Sequence, residues 1–251
     1  MRIALELCYD GTNYCGWQCQ KNGVSCQEIL EEALKKLLGK KTNLIASGRT
    51  DAGVHAKCQV AHFDCQTTIP PTKIALALNA LLPEDIQVLK SYLVSDDFHA
   101  RYGAKQKTYE YAFYVSPVKV PLYERYATRV DGLNLEKMQA CCDLFVGTHD
   151  FKCFLASGSS VKNTVRTIYG AKVFKDGDFV RFSVTGNGFL YNMVRTVAGT
   201  LLAVGEEKIT PEQVKSIIDS KNRKNAGKTM PAKGLMLKNV CYKGIKFPKI
   251  Y

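Results

Sequence analysis

The chain has 251 residues, and its apolar fraction of 46% is enough to fill one large core or two smaller ones. No run approaches ~18 apolar residues, which argues against a membrane span, and Glu6 in the first segment argues against a signal peptide. We therefore expect a cytoplasmic protein. The formal net charge of +12 favours polyanionic partners, with nucleic acid first among them.

The first half of the chain is predicted to contain two strands and two helices. Apolar side chains alternate along Arg2–Tyr9, which is typical of a strand. A capping box at 25–28 starts a helix with a leucine-rich stripe, and Gly39 ends it. We expect a second strand at 59–64 and a second helix at 71–82, before a proline.

The second half is predicted to add strands and helices of the same kinds. The turn at 175–178 lies between two short apolar runs and is the clearest hairpin signal in the sequence. The other predicted elements are a strand at 109–115, a helix at 135–145 capped by Asn134, a helix at 190–204, a helix starting at Thr210 and a strand at 234–242.

This mixture of elements predicts an α+β fold in which helices cover antiparallel sheets. We place a domain boundary in the polar stretch at 104–108, which gives an N-terminal half of residues 1–105 and a C-terminal half of residues 106–251.

The ten cysteines do not indicate a metal site. No pair has the C-x-x-C spacing, and the four histidines do not complete a set of ligands. We expect reduced thiols that pack as small apolar side chains, and no bound metal.

The most distinctive segment is the polar, glycine-containing loop at 47–55, which we expect between a helix and a strand at the surface. Arg49 and Asp51 lie two residues apart in it. One interpretation is a turn closed by the Asp51 side chain together with a surface ion pair. The other is that Asp51 is a nucleophile or general base, kept ionised by a nearby cation such as Arg49 or Arg195.

Two further features admit both a structural and a functional interpretation. Arg195 lies in an apolar helical stripe, where it either reaches solvent at the helix edge or meets a buried partner. The segment 97–111 alternates basic and aromatic residues, which suits RNA phosphates and bases but also a half-buried strand. Trp17 is similarly either a wall for a base or part of a packed turn.

Several of these segments together resemble the tRNA pseudouridine synthases that modify the anticodon arm, the synthase A family. The resemblance runs through nearly the whole chain. It is carried by the motifs at 9–11, 16–18, 48–55, 81–86, 97–101, 164–168, 188–195 and 231–235.

The resemblance implies that uridine becomes pseudouridine at positions 38–40 of the tRNA anticodon stem-loop, with Asp51 as the nucleophile and no cofactor. Tyr109 is then the active-site tyrosine that packs on the uracil, and Arg195 is the partner of the aspartate. The substrate-binding residues it implies are Arg49, which takes the place of the flipped nucleotide, Leu235, which lines the pocket, and His55, Arg101 and Tyr109. Whether attack falls on C1′ or on C6 stays open.

The resemblance also implies two recognition-motif-like α+β halves, joined side by side with the active-site cleft between them. The half at 1–105 carries the aspartate loop, and the half at 106–251 carries the tyrosine and arginine. The expected partner is the tRNA anticodon arm, and the expected assembly is a homodimer. Cys19 and the pair Lys57–Cys58 depart from the family pattern. We expect these departures to affect contacts with the substrate more than the chemistry.

Other functions remain open at this point. The chain could be a non-catalytic RNA-binding protein with the same fold, or a pseudouridine synthase acting on another RNA. A carboxylate-based hydrolase is less favoured because no second acidic residue is placed to serve as the acid.

Overall fold

The structure, a computed structural model, describes residues 1–21 and 23–244. The chain forms two compact units. The first comprises Met1–Lys105 together with the last strand from Leu237, and the second is Gln106–Met236. The sequence analysis assigned the last strand to the second half.

The first unit is built on an antiparallel sheet. Its elements are β1 (Arg2–Tyr9), α1 (Cys26–Leu38), β2 (Ile45–Ala46), β3 (His55–Asp64), α2 (Ile74–Asn79) and β4 (Ile86–Val94). The central strand β1 pairs antiparallel with both β3 and β4, and β2 pairs antiparallel with β3.

Both faces of β1 are covered. Ile3, Leu5 and Leu7 are fully buried on one face, as the strand alternation predicts. On the other face Glu6 is also buried, and it accepts hydrogen bonds from the Cys58 thiol at 3.4 Å and the Tyr92 hydroxyl at 3.2 Å. The hydrogen bonds to Glu6 offset the cost of burying a carboxylate.

The helix starts of this unit follow their capping signals, but one helix end does not. The capping box between Ser25 and Glu28 is present, and α1 ends at Gly39 as predicted. The prediction of a helix over 71–82 was too long, because a 3-10 turn precedes α2 and α2 ends at Asn79. The Asn79 amide instead bonds the backbone N–H and carbonyl of Val88 in β4. A side chain that competes for backbone partners in this way favours a helix end.

The second unit has the same kinds of elements. They are β5 (Ala104–Val115), β6 (Thr128–Val130), α3 (Leu135–Phe145), β7 (Gly147–Asp150), β8 (Val165–Asp176), β9 (Phe179–Gly186), α4 (Met193–Gly205) and α5 (Pro211–Ser220). The last strand, β10 (Leu235–Tyr242), belongs to the first unit from Leu237 onward. Its sheet has the order β5-β9-β8-β7, with antiparallel pairing along that order and β6 parallel to β5. Helix α3 packs on β8 and contacts α4 and α5.

The α+β class is confirmed, as are the hairpin between β8 and β9 and the helix α3 with its Asn134 cap. The strand predicted at 109–115 begins earlier, at Ala104, so the polar stretch at 104–108 is part of a strand. The helix predicted over 190–204 begins later, at Met193. No helix among the described residues is both long and apolar enough to cross a bilayer.

Candidate active site

The loop at 47–55 connects β2 to β3, and its base is closed by hydrogen bonds. The Ser47 N–H donates to the Val60 carbonyl at 2.7 Å, and the Gln59 amide donates to the Gly48 carbonyl at 2.9 Å. Ser47 and Gln59 are both fully buried. The expectation of a loop wholly at the surface, after a helix, was therefore wrong for its base, which is buried and follows a strand.

The middle of the loop is fixed by the end of β1 and by the segment that follows it. The Tyr9 hydroxyl bonds the Thr50 hydroxyl at 2.8 Å, and the Trp17 N–H donates to the Thr50 carbonyl at 3.0 Å. Gly16, at φ +102°, permits this approach, because a Cβ there would lie 2.7 Å from the Thr50 carbonyl oxygen. Trp17 is buried, so it belongs to a packed turn.

Asp51 follows the buried Thr50 and is itself half-buried, whereas Arg49 on the other side is exposed. The Val54 N–H donates to the Asp51 main-chain carbonyl at 3.1 Å, so a main-chain hydrogen bond closes this turn. The Gly53 N–H donates to the Tyr14 carbonyl at 3.2 Å. The backbone on both sides of Asp51 is thereby held by other segments of the first unit.

His55, at the start of β3, is buried beneath the turn that follows β1. Its Nδ1 accepts a hydrogen bond from the Gly11 N–H at 3.1 Å and lies 3.1 Å from a carboxylate oxygen of Asp10. The ring therefore supports the turn that packs against the loop.

Arg101 is exposed on the turn that follows β4. Its guanidinium carbon lies 5.7 Å from the centroid of the Tyr102 ring, and that ring is 76% exposed. His99 Nδ1 accepts hydrogen bonds from the Arg101 and Tyr102 N–H groups and fixes the turn. A cation beside an exposed ring can contact both a phosphate and an unstacked base.

In the second unit, Tyr109 lies on β5 opposite Val184 of β9, and 8% of it is exposed. Its ring packs edge-on against Phe189, with centroids 5.2 Å apart. Tyr111, two residues on, is a core residue whose hydroxyl bonds the Thr128 hydroxyl at 2.7 Å and the Pro231 carbonyl at 2.9 Å. Burial raises the pKa of Tyr111 above its usual value.

Arg195 is half-buried in the first turn of α4, and acceptors surround its guanidinium. Its Nε donates to the Met230 carbonyl at 2.7 Å, and its Nη1 donates to the Asn192 side-chain oxygen at 2.6 Å. The guanidinium is thus bonded to groups of the protein. Leu235, five residues after Met230, is buried at the start of β10.

The predicted residues divide between the two units. In the first, Arg49, Asp51 and His55 share one loop, and Arg101 lies on a separate turn. In the second, Tyr111 and the segment at 230–235 link β5, which carries Tyr109, to α4, which carries Arg195, and to Leu235.

Sequence reasoning missed Asn192 and the Met230 carbonyl. An asparagine three residues before Arg195 at a helix start could have signalled the first; a main-chain acceptor leaves no sequence signal. Among the described residues, no group of three or more His, Cys, Asp or Glu side chains is arranged to hold a metal ion.

Comparison with protein families matches residues 7–103 and 141–243 to the family described as tRNA pseudouridine synthase. These ranges cover most of the chain and include both the 47–55 loop and α4. The chain belongs to the tRNA pseudouridine synthase family.

Curated relatives are similar over nearly their whole length. Proteins named tRNA pseudouridine synthase A from Clostridium acetobutylicum, Thermoanaerobacter sp. and Acetivibrio thermocellus are 48%, 47% and 46% identical, each over 96% of this chain and 99% of the relative. Among solved structures, a Cbf5–Nop10–Gar1 complex aligns over 80% of this chain and 44% of that chain, with 17% identity and a TM-score of 0.35, a likeness too weak to bear on the fold.

Proposed function

We propose that the chain isomerises uridine to pseudouridine at positions 38–40 of the tRNA anticodon stem-loop, with Asp51 as the nucleophile and without a cofactor. The observation that carries the proposal is the half-buried Asp51, held between the buried Thr50 and the main-chain bond from Val54. Family membership and the names of the relatives support the reaction class.

The reaction requires few catalytic groups. The N1–C1′ glycosidic bond breaks, the uracil turns and a C5–C1′ bond forms. C5 loses a proton and N1 gains one, so the product is an isomer of the substrate and no oxidant or reductant is consumed. Asp51 supplies the nucleophile, and Arg195 supplies a cation that favours its ionised form. Tyr109, whose ring is held by Phe189, supplies a face on which the uracil stacks and a hydroxyl near its C5 proton.

The target base must leave the helical stack, which costs a few kcal/mol. We assign Arg49, exposed two residues before Asp51, to the space that the flipped nucleotide vacates. Arg101 with Tyr102 contacts RNA backbone and bases, and Leu235 lines the apolar side of the uracil pocket. His55 contributes through the turn that it supports. By family likeness we further propose a homodimer in the cytoplasm.

The test is release of tritium from tRNA transcripts labelled at uridine C5. We expect release with the native protein, at a rate that falls below detection in Asp51→Ala and Asp51→Asn. Asp219→Asn, at an exposed position on α5, is the matched control and should keep the native rate. Equal release from native protein and Asp51→Asn would mean that another residue is the nucleophile.

The second candidate, a non-catalytic RNA-binding protein, is favoured only by the net charge of +12. It predicts tRNA binding without release from any transcript, and equal affinity for native protein and Asp51→Asn. Release from a different RNA, and not from tRNA, would point to a synthase for that RNA.

A further inference from the structure

We propose that Asn192 is a positioning residue for Arg195, and that its side chain orients the guanidinium for the reaction. The inference rests on the proposed function, because Arg195 matters to catalysis only if that function holds. The first observation is the unusual backbone conformation at the start of α4.

Asn192 is the N-cap residue of α4, and it adopts the left-handed conformation with φ 59° and ψ 7°. An N-cap asparagine usually has extended backbone and accepts a hydrogen bond from an N–H of the first turn. Here the side chain makes no such capping bond. It accepts from Arg195 Nη1 at 2.6 Å instead. The left-handed conformation carries a steric cost for residues with a Cβ, although asparagine tolerates it better than most.

Another acceptor of Arg195, the main-chain carbonyl of Met230, is also fixed in place. The Met230 carbonyl accepts from Nε, and the Met230 N–H donates back to the Arg195 carbonyl at 3.2 Å. The segment before Met230 crosses α4 in direct contact at Gly199, where a Cβ would come within 1.9 Å of the Lys228 carbonyl oxygen. The Gly227 N–H also donates to the Thr200 hydroxyl at 2.9 Å.

Two bonds from different nitrogens fix the plane of a guanidinium. One acceptor is on the helix itself, and the other is on a segment packed against that helix. The guanidinium of Arg195 is therefore restrained in orientation as well as in position. Electrostatic stabilisation of a reacting carboxylate requires both. Loss of the Asn192 oxygen removes one of these two restraints on the guanidinium.

The decisive variant is Asn192→Gly, because glycine accepts the left-handed backbone and removes only the side-chain acceptor. We expect the melting temperature to stay within about 2 °C of native or to rise, since a strained position is relieved. The affinity for tRNA should change less than about twofold, and kcat for tritium release should fall at least about tenfold. Glu207→Gly is the comparison variant, because Glu207 has the same φ of 59° just beyond the other end of α4. It also removes the acceptor of hydrogen bonds from Asn134 and Lys137, so its melting temperature reports the loss of structural bonds.

Asn192→Asp tests whether the hydrogen bond to Arg195 is what matters, and not asparagine as such. Aspartate keeps an oxygen in the same place, so its kcat should lie closer to native than that of Asn192→Gly. A native kcat in Asn192→Gly would overturn the proposal, and so would an Asp variant as slow as the Gly variant. A melting temperature that drops in Asn192→Gly as it does in Glu207→Gly would mean that the side chain serves the fold.

A readout without turnover keeps the inference separate from the proposed function. Hydrogen exchange of the Arg195 Nη1–H, followed by NMR and assigned with Arg195→Lys, should be faster in Asn192→Gly than in native protein. Unchanged exchange would contradict the positioning role. Absence of tritium release from native protein, with faster exchange in the variant, would instead contradict the proposed function alone.

Discussion

Thr50 shows how a single residue places its neighbour. Its side chain is bonded to Tyr9 at the end of β1 and its carbonyl to the Trp17 N–H, so two points on the chain determine where Asp51 lies. Reactive groups must be held to within a fraction of an ångström, and loops achieve this only when other residues support them. The 47–55 loop has that support from buried neighbours.

His62 is a second residue whose surroundings determine its chemistry. It is 2% exposed on β3, and its Nδ1 accepts from the Ala100 N–H at 3.2 Å. Burial lowers the pKa of His62 from 6.5 to about 4, and the nearby cation of Arg2 and the ring of His99 add to the effect, while Asp64 opposes it.

This shift predicts how stability depends on pH. Between pH 6.5 and about 4 the unfolded chain takes up a proton at His62 that the folded protein refuses, so the free energy of unfolding falls as the pH falls through this window. We expect His62→Gln, which cannot titrate, to lose less stability than native protein between pH 7.5 and pH 5. The difference should be about 1–2 kcal/mol after allowance for solvent screening.

Urea unfolding at the two pH values measures this difference. The comparison within each protein cancels any constant effect of the substitution itself, including the bond to Ala100. Identical pH dependence in native protein and His62→Gln would show that His62 titrates normally in the folded state.

Among the elements, those with complete local signals were predicted well. Ser25 with Glu28 starts α1, and Asn134 starts α3, because the cap and the apolar stripe are both in the sequence. The end of α2 was missed because the Asn79 amide finds its partners on β4, far along the chain. For the same reason the loop at 47–55 was recognisable by composition, but its buried anchor on Gln59 was not.

The bounds of helix α4 were predicted only approximately, since its start depends on the backbone of Asn192. The surface that α4 buries depends on the segment at 227–230, which is distant in the sequence. The apolar spacing continues back to Leu190, but the left-handed backbone of Asn192 stops the helix at Met193. The match at 188–195 predicts Arg195 as a site residue without indicating what holds it.

Gly199→Ala tests the contact between α4 and the segment at 227–230. Alanine in place of glycine inside a helix normally stabilises by about 1 kcal/mol. Here the new Cβ would meet the Lys228 carbonyl, so we expect the opposite sign, with a loss of about 1–3 kcal/mol in urea unfolding. We also expect slower tritium release, because the Met230 carbonyl moves with the segment.

Gly170→Ala is the control, since nothing lies within 4 Å of a Cβ at that position on β8. A stabilised Gly199→Ala with native turnover would show that the segment yields to the new methyl group at no cost.

At the scale of the whole molecule, the cysteines divide by burial. All ten are free thiols within the described residues, and six are buried: Cys26, Cys58, Cys65, Cys141, Cys142 and Cys153. Burial raises the pKa of four of these (Cys26, Cys58, Cys142 and Cys153) to about 12 and that of Cys141 to about 11. Cys19 is exposed.

We therefore expect a thiol reagent at pH 8 to modify Cys19 first in the folded protein and the six buried thiols only as it unfolds. The thiolate is the reactive form, and both its abundance and its access are low in the core. Counting modified thiols by mass spectrometry over time checks this, and Cys19→Ser should remove the fastest phase. Rapid modification of Cys58 in native protein would contradict its packing against Glu6.

The division into units has a consequence for synthesis on the ribosome. The second unit is one continuous stretch, whereas the first needs the last strand, β10, which lies beside β3. A nascent chain can thus complete the second unit while part of the β3 edge is still unpaired, because the residues of β10 have not yet been synthesised. Domains usually finish in the order in which they emerge, and here the order is reversed. An open strand edge is prone to mispairing, so this interval is when the newly made chain is most exposed to aggregation.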